Sequence, residues 1–252
     1  MEFKVSVEGP RRILSILSEN GDPVFAISES VVTGWLVIII VAVLCHILTK
    51  DLKKVPETRR QCAAEYIVKT VNNMIEINMD KESMAYAPYI AAVFAYIIFG
   101  TLISMIGFRS ITADISVTGG LAVMTFVLIT YTKLKFMGVG GYFKQFINPL
   151  NIISEVATPV AMALRLFGNV AGGMIITLIL YTALGFASGS LYNVMGIAPI
   201  TFDGSAGYVF NIFQIGIPAV LSIYFDLFSG AIQSYVFIML TMAYIKMGKN
   251  EE

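Results

Sequence analysis

The length of its apolar runs restricts this chain more than any other feature. A helix that crosses the hydrocarbon core of a bilayer needs about 20 mainly apolar residues. Five runs reach or approach that length, at 31–49, 84–108, 115–131, 146–187 and 208–245. In lipid the backbone must satisfy its own hydrogen bonds, and a helix does so within one segment. The sequence therefore predicts an all-α integral membrane protein with about five transmembrane helices.

The last two runs are about twice as long as one crossing requires. At about 1.5 Å per residue, a helix of about 40 residues reaches about 60 Å, whereas the hydrocarbon core is about 30 Å thick. Each run therefore forms either two helices or one strongly tilted helix. Isolated proline and glycine residues permit a bend in both runs but do not force a hairpin. We predict two long, strongly tilted helices.

The composition excludes several classes of function. The chain is 57% apolar and 13% charged, whereas roughly a quarter of the residues in a soluble domain are charged. The 17 basic and 17 acidic residues cancel, so no net charge attracts nucleic acid. The sequence contains a single histidine, His46, and no nucleotide-binding loop. We expect no cofactor, no metal site and no direct nucleotide binding.

The placement of lysine and arginine predicts the orientation. Basic residues cluster after the first run, after the third run and in the tail; they are Lys50, Lys53, Lys54, Arg59, Arg60, Lys69, Lys133, Lys135, Lys144, Lys246 and Lys249. Cytoplasmic connections carry such an excess. We therefore predict an extracytoplasmic N-terminal segment at 1–30, a single membrane domain at 31–252 and a cytoplasmic C-terminus.

The connection at 51–81 differs from the runs on either side. Charged residues flank a weak apolar stripe at helical spacing, formed by Ala63, Ala64, Ile67, Val68, Val71, Met74 and Ile75. The pattern predicts one amphipathic helix. It suits a helix in the plane of the membrane interface, and it equally suits a helix packed on a partner protein.

Three ionisable residues, Glu155, Arg165 and Asp226, lie inside the two long runs. An arginine at mid-membrane costs about 2.5–3.5 kcal/mol on insertion scales, so such a residue usually marks a functional site. On a helix, Arg165 shares one face with small and polar residues, namely Thr158, Ala161, Gly168, Asn169 and Gly172. Small residues allow another helix to approach closely. The alternative is a permanent pair with Glu155 or Asp226 that only holds helices together.

A second polar line runs along the last helix. Ser222, Asp226, Ser229 and Gln233 follow the i, i+4, i+7, i+11 spacing of one helix face. This spacing favours the wall of a hydrated path, and the alternative is a polar seam between helices. Glu155 lies near the start of its run, where it either lines the exit of such a path or reaches the interface.

The segment Leu164–Asn169, with the sequence LRLFGN, resembles the signature of ATP synthase subunit a. The preceding residues 149–155, Pro159 and the final helix at 231–245 are similar to the same family. By this resemblance Arg165 matches the family's essential arginine, and Asn169 and Gln233 match its polar neighbours. Asp226 falls where other members carry a residue of the outer access channel.

The chain departs from the family pattern at three positions. Many members carry glutamate or histidine where this chain has Met174, and others carry an Asn or Asp pair where it has Thr101 and Ser104. These departures leave Asp226 as the carboxylate of the outer path, aided by hydroxyl groups and water.

The resemblance implies a stationary ion-channel subunit in a bacterial plasma membrane, with no catalysis of its own. It implies a rotating ring of small subunits with mid-membrane carboxylates (subunit c), a peripheral-stalk subunit b and the lipid bilayer as partners. The ion is either a proton or sodium. Two alternatives remain: a self-contained transporter or channel, and a membrane anchor that conducts nothing.

Overall fold

The computed structural model describes residues 12–17, 23–50, 58–106, 108–145, 149–195, 220–221 and 223–250. Its long helices are α1 (Glu29–Thr49), α2 (Arg59–Asn78), α3 (Ala87–Leu102), α4 (Ile115–Gln145), α5 (Pro149–Met195) and α6 (Gly230–Asn250). A π-helical segment, Ile223–Ser229, leads directly into α6. Short 3₁₀ turns flank α3 at Lys81–Tyr86 and Ile103–Ile106.

Five of the described helical segments are long and apolar enough to cross a membrane. They are Glu29–Thr49, Ser83–Ile106, Ile115–Gly138, Leu150–Ala187 and Leu227–Lys249. The all-α membrane architecture is therefore confirmed. The first part of the last predicted run, at 208–219, lies outside the described residues.

Helix α5 is one continuous helix of 47 residues that passes through Pro159. At about 1.5 Å per residue it is about 70 Å long, so it must tilt to fit a bilayer. Helix α4 extends past the predicted end at residue 131, because lysines interrupt its apolar run while the helix continues. It bends at Gly138, whose φ of 73° favours glycine.

A short antiparallel hairpin precedes the helices, and the sequence analysis did not predict it. Strand β1 (Arg12–Leu17) pairs with β2 (Pro23–Ser28), and Ile16 lies opposite Phe25. Both strands are rich in β-branched and other apolar residues. The surrounding segment is mostly polar, and this concealed the two short strand patterns.

Helix α2 is the predicted amphipathic helix, but its apolar stripe is divided. Ile75 is fully buried and Met74 packs against the core, whereas Ile67 and Val68 are exposed. The second half of α2 therefore packs on the bundle, and the first half presents an open apolar surface.

Helices α3, α4 and α6 enclose the core, which includes Ile97, Ile129 and Phe237. A row of threonines on α4 is also fully buried: Thr118, Thr125 and Thr132. The Tyr89 hydroxyl lies 2.8 Å from Thr125 Oγ1, and the Tyr86 hydroxyl lies 2.9 Å from Thr132 Oγ1. Hydrogen bonds of this kind hold helices together where water is excluded.

Gly100 on α3 is in close contact with the connection before α4. A methyl group at this position would overlap the side chain of Ile111, which is fully buried. We expect Gly100→Ala to lower the free energy of unfolding by about 1–3 kcal/mol, the usual cost of overpacking. Thermal unfolding of the purified complex in detergent measures the change. Gly120→Ala is the control, because a methyl group there meets nothing within 4 Å; equal stability of the two variants would contradict the prediction.

Candidate functional site

Arg165 lies deep within α5. It follows Leu150, the start of the apolar span, by 15 residues, and Ala187 ends the span 22 residues later. These separations correspond to about 22 Å and about 33 Å along the helix axis. The Arg165 side chain is exposed on the surface of the chain. None of the described side chains forms an ion pair with it.

The face of α5 around Arg165 is small and uncovered. Ala161 and Gly168 are exposed, and a methyl group at Gly168 or Gly172 would meet nothing within 4 Å. The opposite face is buried in the core through Met162 and Leu166. The uncovered face therefore has the room that a second helix needs for close approach.

Asn169 lies at the edge of this face and joins α5 to Ser229, the last residue of the π-helical segment before α6. The Ser229 hydroxyl donates to Asn169 Oδ1 at 2.6 Å, and Asn169 Nδ2 donates to the Ser229 carbonyl at 3.2 Å. Both ends of the amide are therefore bound to one residue. The face of α5 that carries Asn169 and the polar line that contains Ser229 therefore meet at this position.

Glu155 lies on the same helix as Arg165 but is bound by residues of α4. Its Oε2 lies 2.8 Å from Lys133 Nζ, and its Oε1 accepts a hydrogen bond of 3.4 Å from the Tyr142 hydroxyl. Burial raises the pKa of Tyr142, and the adjacent Glu155 carboxylate raises it further, so this hydroxyl keeps its proton. Ten residues of helix separate Glu155 from Arg165, about 15 Å. A permanent Glu155–Arg165 pair is excluded.

Two contacts show that α5 and α6 run antiparallel. Asn169 contacts Ser229, and Glu155 contacts Lys133, whose side chain packs on Gly248. From the Asn169–Ser229 contact to the Glu155–Lys133 contact, residue numbers therefore fall along α5 and rise along α6. Gln233, one turn after Ser229, is therefore level with Arg165.

Gln233 has an unsatisfied polar atom at this depth. Its Nε2 is buried and has no hydrogen-bond partner among the described residues. Buried polar atoms are nearly always paired, so an exception indicates water or a transient partner. The antiparallel pairing also places the backbone of Asp226 level with Gly172, beyond Asn169 as seen from Arg165. The Asp226 side chain and Ser222 lie outside what the structure describes.

Thr101, at the end of α3, lies close to Gly230, the residue that follows Ser229. A methyl group at Gly230 would come within 3.1 Å of Thr101 Oγ1. The Thr101 hydroxyl donates to the Ile98 carbonyl, and the Ser104 hydroxyl donates to the Thr101 carbonyl. Both hydroxyl groups thus donate their hydrogen within α3 and its adjoining turn.

The sequence analysis missed three residues that the structure places at or near polar sites. Lys133 and Tyr142 bind Glu155, and no spacing rule links them to it. Asp114 is buried and accepts hydrogen bonds from the Ser116 amide and the Ser28 hydroxyl. Its position directly before an apolar helical run is a typical N-cap signal, which could have identified it.

A membrane-spanning bundle with an arginine deep in one span, and with no described side chain in an ion pair with it, is typical of an ion-translocating membrane subunit. The family model for the ATP synthase A chain matches residues 31–246. The chain belongs to the ATP synthase subunit a family. It is an ion-channel subunit of an F-type ATP synthase and a non-catalytic part of its membrane sector.

Several relatives support this assignment. The chain is 30% identical over 244 residues to the sodium ion specific ATP synthase subunit a of Propionigenium modestum, covering 88% of this chain and 74% of that protein. It is 31% identical over 225 residues to subunit a of Desulforamulus reducens, covering 86% of this chain and 78% of that protein. Subunit a 1 of Crocosphaera subtropica is 28% identical over 232 residues, covering 89% of this chain and 88% of that protein.

Proposed function

We propose that Arg165 discharges an ion from the mid-membrane carboxylate of a rotating partner and blocks direct leakage of ions across the subunit. The observation that carries this role is its depth within α5 together with its exposed side chain on an uncovered face. Arginine stays charged inside proteins, whereas a buried lysine can lose its proton. A fixed positive charge therefore meets each arriving carboxylate.

Two half-channels deliver and remove the ion in this proposal. The outer one contains Asp226, Ser222 and Ser229, and the inner one ends at Glu155. Asn169 braces α5 through Ser229 against the π-helical segment that leads into α6. Gln233 lies level with Arg165, and its buried Nε2 has no hydrogen-bond partner among the described residues. A membrane potential contributes about 2.3 kcal/mol per charge per 100 mV to the movement.

The partners in this proposal are a ring of small subunits with mid-membrane carboxylates, subunit c, and a peripheral-stalk subunit b. The N-terminal segment lies outside a bacterial plasma membrane, residues 31–252 form one membrane domain, and the C-terminus lies in the cytoplasm. The excess of lysine and arginine on one set of connections supports this orientation. The transported ion is a proton or sodium, since the coordinating carboxylate belongs to the ring.

ATP-driven pumping by the assembled enzyme in proteoliposomes, with and without sodium, tests the proposal and identifies the ion. We expect pumping from the complete complex and no transport from the isolated chain. Transport by the isolated chain would favour a self-contained channel or transporter. A complex that pumps equally well with neutral residues at 165 and 226 would favour a structural anchor.

Asp226→Asn is expected to slow ion uptake from the outside by about a hundredfold, the lower range of what a positioned proton-transfer group contributes. The amide cannot carry the charge that receives the ion. The measurement is the initial rate of ATP synthesis driven by an imposed ion gradient. Asp226→Glu restores the carboxylate and is expected to recover most of the rate. An unchanged flux in the asparagine variant would place the outer path elsewhere.

A further inference from the structure

Three helices meet at the Glu155 end of α5, and one lysine connects them. Lys133 extends from α4, passes over Gly248 of α6 and ends on the Glu155 carboxylate of α5. A methyl group at Gly248 would lie 2.7 Å from Lys133 Cγ, near the base of the side chain rather than its flexible end. Only glycine leaves room for the lysine to take this route.

The lysine and the glutamate are mostly removed from solvent. Their side chains are 13% and 15% exposed. The described groups that face Glu155 are the Lys133 ammonium and the Tyr142 hydroxyl, one on each carboxylate oxygen. Two other nearby ammonium groups, those of Lys135 and Lys249, lie 5.9 and 5.6 Å from the centre of the Phe136 ring.

We propose that Lys133 is the positioning residue for the Glu155 carboxylate and that Gly248, which has no side chain, leaves the space through which the lysine reaches it. This inference rests on the proposed role of Glu155 at the inner end of the ion path. A lone carboxylate in a water-poor site would hold a passing cation tightly, because charges interact more strongly at low dielectric. The bound ammonium balances the carboxylate and holds it in one orientation. A departing cation is therefore guided outward without being trapped.

The first test measures gradient-driven ATP synthesis by the complete enzyme reconstituted in proteoliposomes. Lys133→Gln is expected to lower the rate about tenfold, a factor in keeping with the loss of one charge-assisted hydrogen bond. Lys133→Arg keeps the charge and the reach, and it is expected to retain most of the rate. Equal loss in the arginine and glutamine variants would overturn the proposal, since charge would not be what matters.

Gly248→Ala tests whether the space at residue 248 is needed, and it removes neither charge. The added methyl group displaces the Lys133 stem, so we expect a loss in the same direction as Lys133→Gln. Gly120→Ala on α4 is the matched control, because a methyl group there meets nothing within 4 Å. This variant also keeps the proposal testable if Lys133→Gln fails to assemble. A normal rate in assembled Gly248→Ala enzyme would overturn the role of Gly248 and Lys133 together.

A double variant separates positioning from simple attachment of helices. Replacing a buried ion pair by apolar residues of similar size often leaves stability unchanged. If Lys133 and Glu155 only attach α4 to α5, the double variant Lys133→Leu, Glu155→Leu will assemble and synthesise ATP normally. We expect it to assemble, as judged by co-purification of the other subunits, and to remain slow. Recovery of the normal rate would refute the inference.

Failure of this inference differs from failure of the proposed function. If Lys133→Gln works normally while Arg165→Ala is inactive, the role of Lys133 is wrong and the ion path through Arg165 stands. If Arg165→Ala itself synthesises ATP normally, the proposed function is wrong, whatever Lys133 does.

Discussion

Replacing Arg165 with alanine is expected to reduce ion-driven ATP synthesis to background, a loss of at least about a hundredfold. Losses of that size are typical when one preorganised group that stabilises a developing charge is removed. The guanidinium is exposed on α5 and has no ion-pair partner among the described side chains. Its removal is therefore expected to leave the packing of the chain largely intact and to remove only the charge that, in the proposed function, meets the ring carboxylate.

The measurement for Arg165→Ala is ATP synthesis by reconstituted complexes matched for subunit content, together with passive ion flux. Passive leakage is expected to rise, because in the proposed function the fixed charge separates the two half-channels. Arg165→Lys is expected to be slow as well, since an ammonium group at this depth can lose its proton. Val156→Ala is the control, an exposed apolar position on the same helix. Near-normal synthesis by Arg165→Ala would refute the role of the arginine.

Gly168→Phe is expected to stop turnover by blocking the approach of the ring to α5. A methyl group at this position would meet nothing within 4 Å inside the chain, and the side chain of Gly168→Phe would therefore start in open space on an exposed face. The phenyl group then projects into the space that the proposed ring of subunits occupies. ATP hydrolysis coupled to pumping is expected to fall to background, while the amount of folded subunit stays the same.

The control for Gly168→Phe is Gly120→Phe, which adds the same side chain at another position with nothing within 4 Å. Gly120 is an exposed residue of α4, whereas Gly168 and Arg165 lie on α5. We expect pumping to persist in this variant. Intact turnover in Gly168→Phe would show that the rotating partner does not approach this face closely.

The membrane architecture was predictable from particular runs of residues. The predicted first run, at 31–49, differs from α1 by two residues at its start. The stripe that ends in Met74 and Ile75 predicted the amphipathic helix α2. The third predicted run, at 115–131, was shorter than the corresponding helix α4. The prediction ended it before Lys133 and Lys135, whereas the helix continues through both residues.

The candidate site was predictable in part. The depth of Arg165 and its small-residue face followed from the 3.6-residue period of one helix. The hydrogen bonds between Asn169 and Ser229 joined two faces that the sequence had marked separately. The Glu155 site was not predictable, because Lys133 and Tyr142 reach it from a different helix. The sequence analysis had used Lys133 only as a basic residue of a connection and had not singled out Tyr142.

The sequence by itself determined that this protein is a membrane protein with an arginine inside one of its long apolar helices, because hydrocarbon thickness sets the length of an apolar helix and local periodicity sets its faces. Only the tertiary structure decided which polar groups meet. Ser229 lies 60 residues from Asn169, and Lys133 lies 22 residues from Glu155. Such contacts depend on the rotation and register of packed helices, which the spacing within a single helix does not specify.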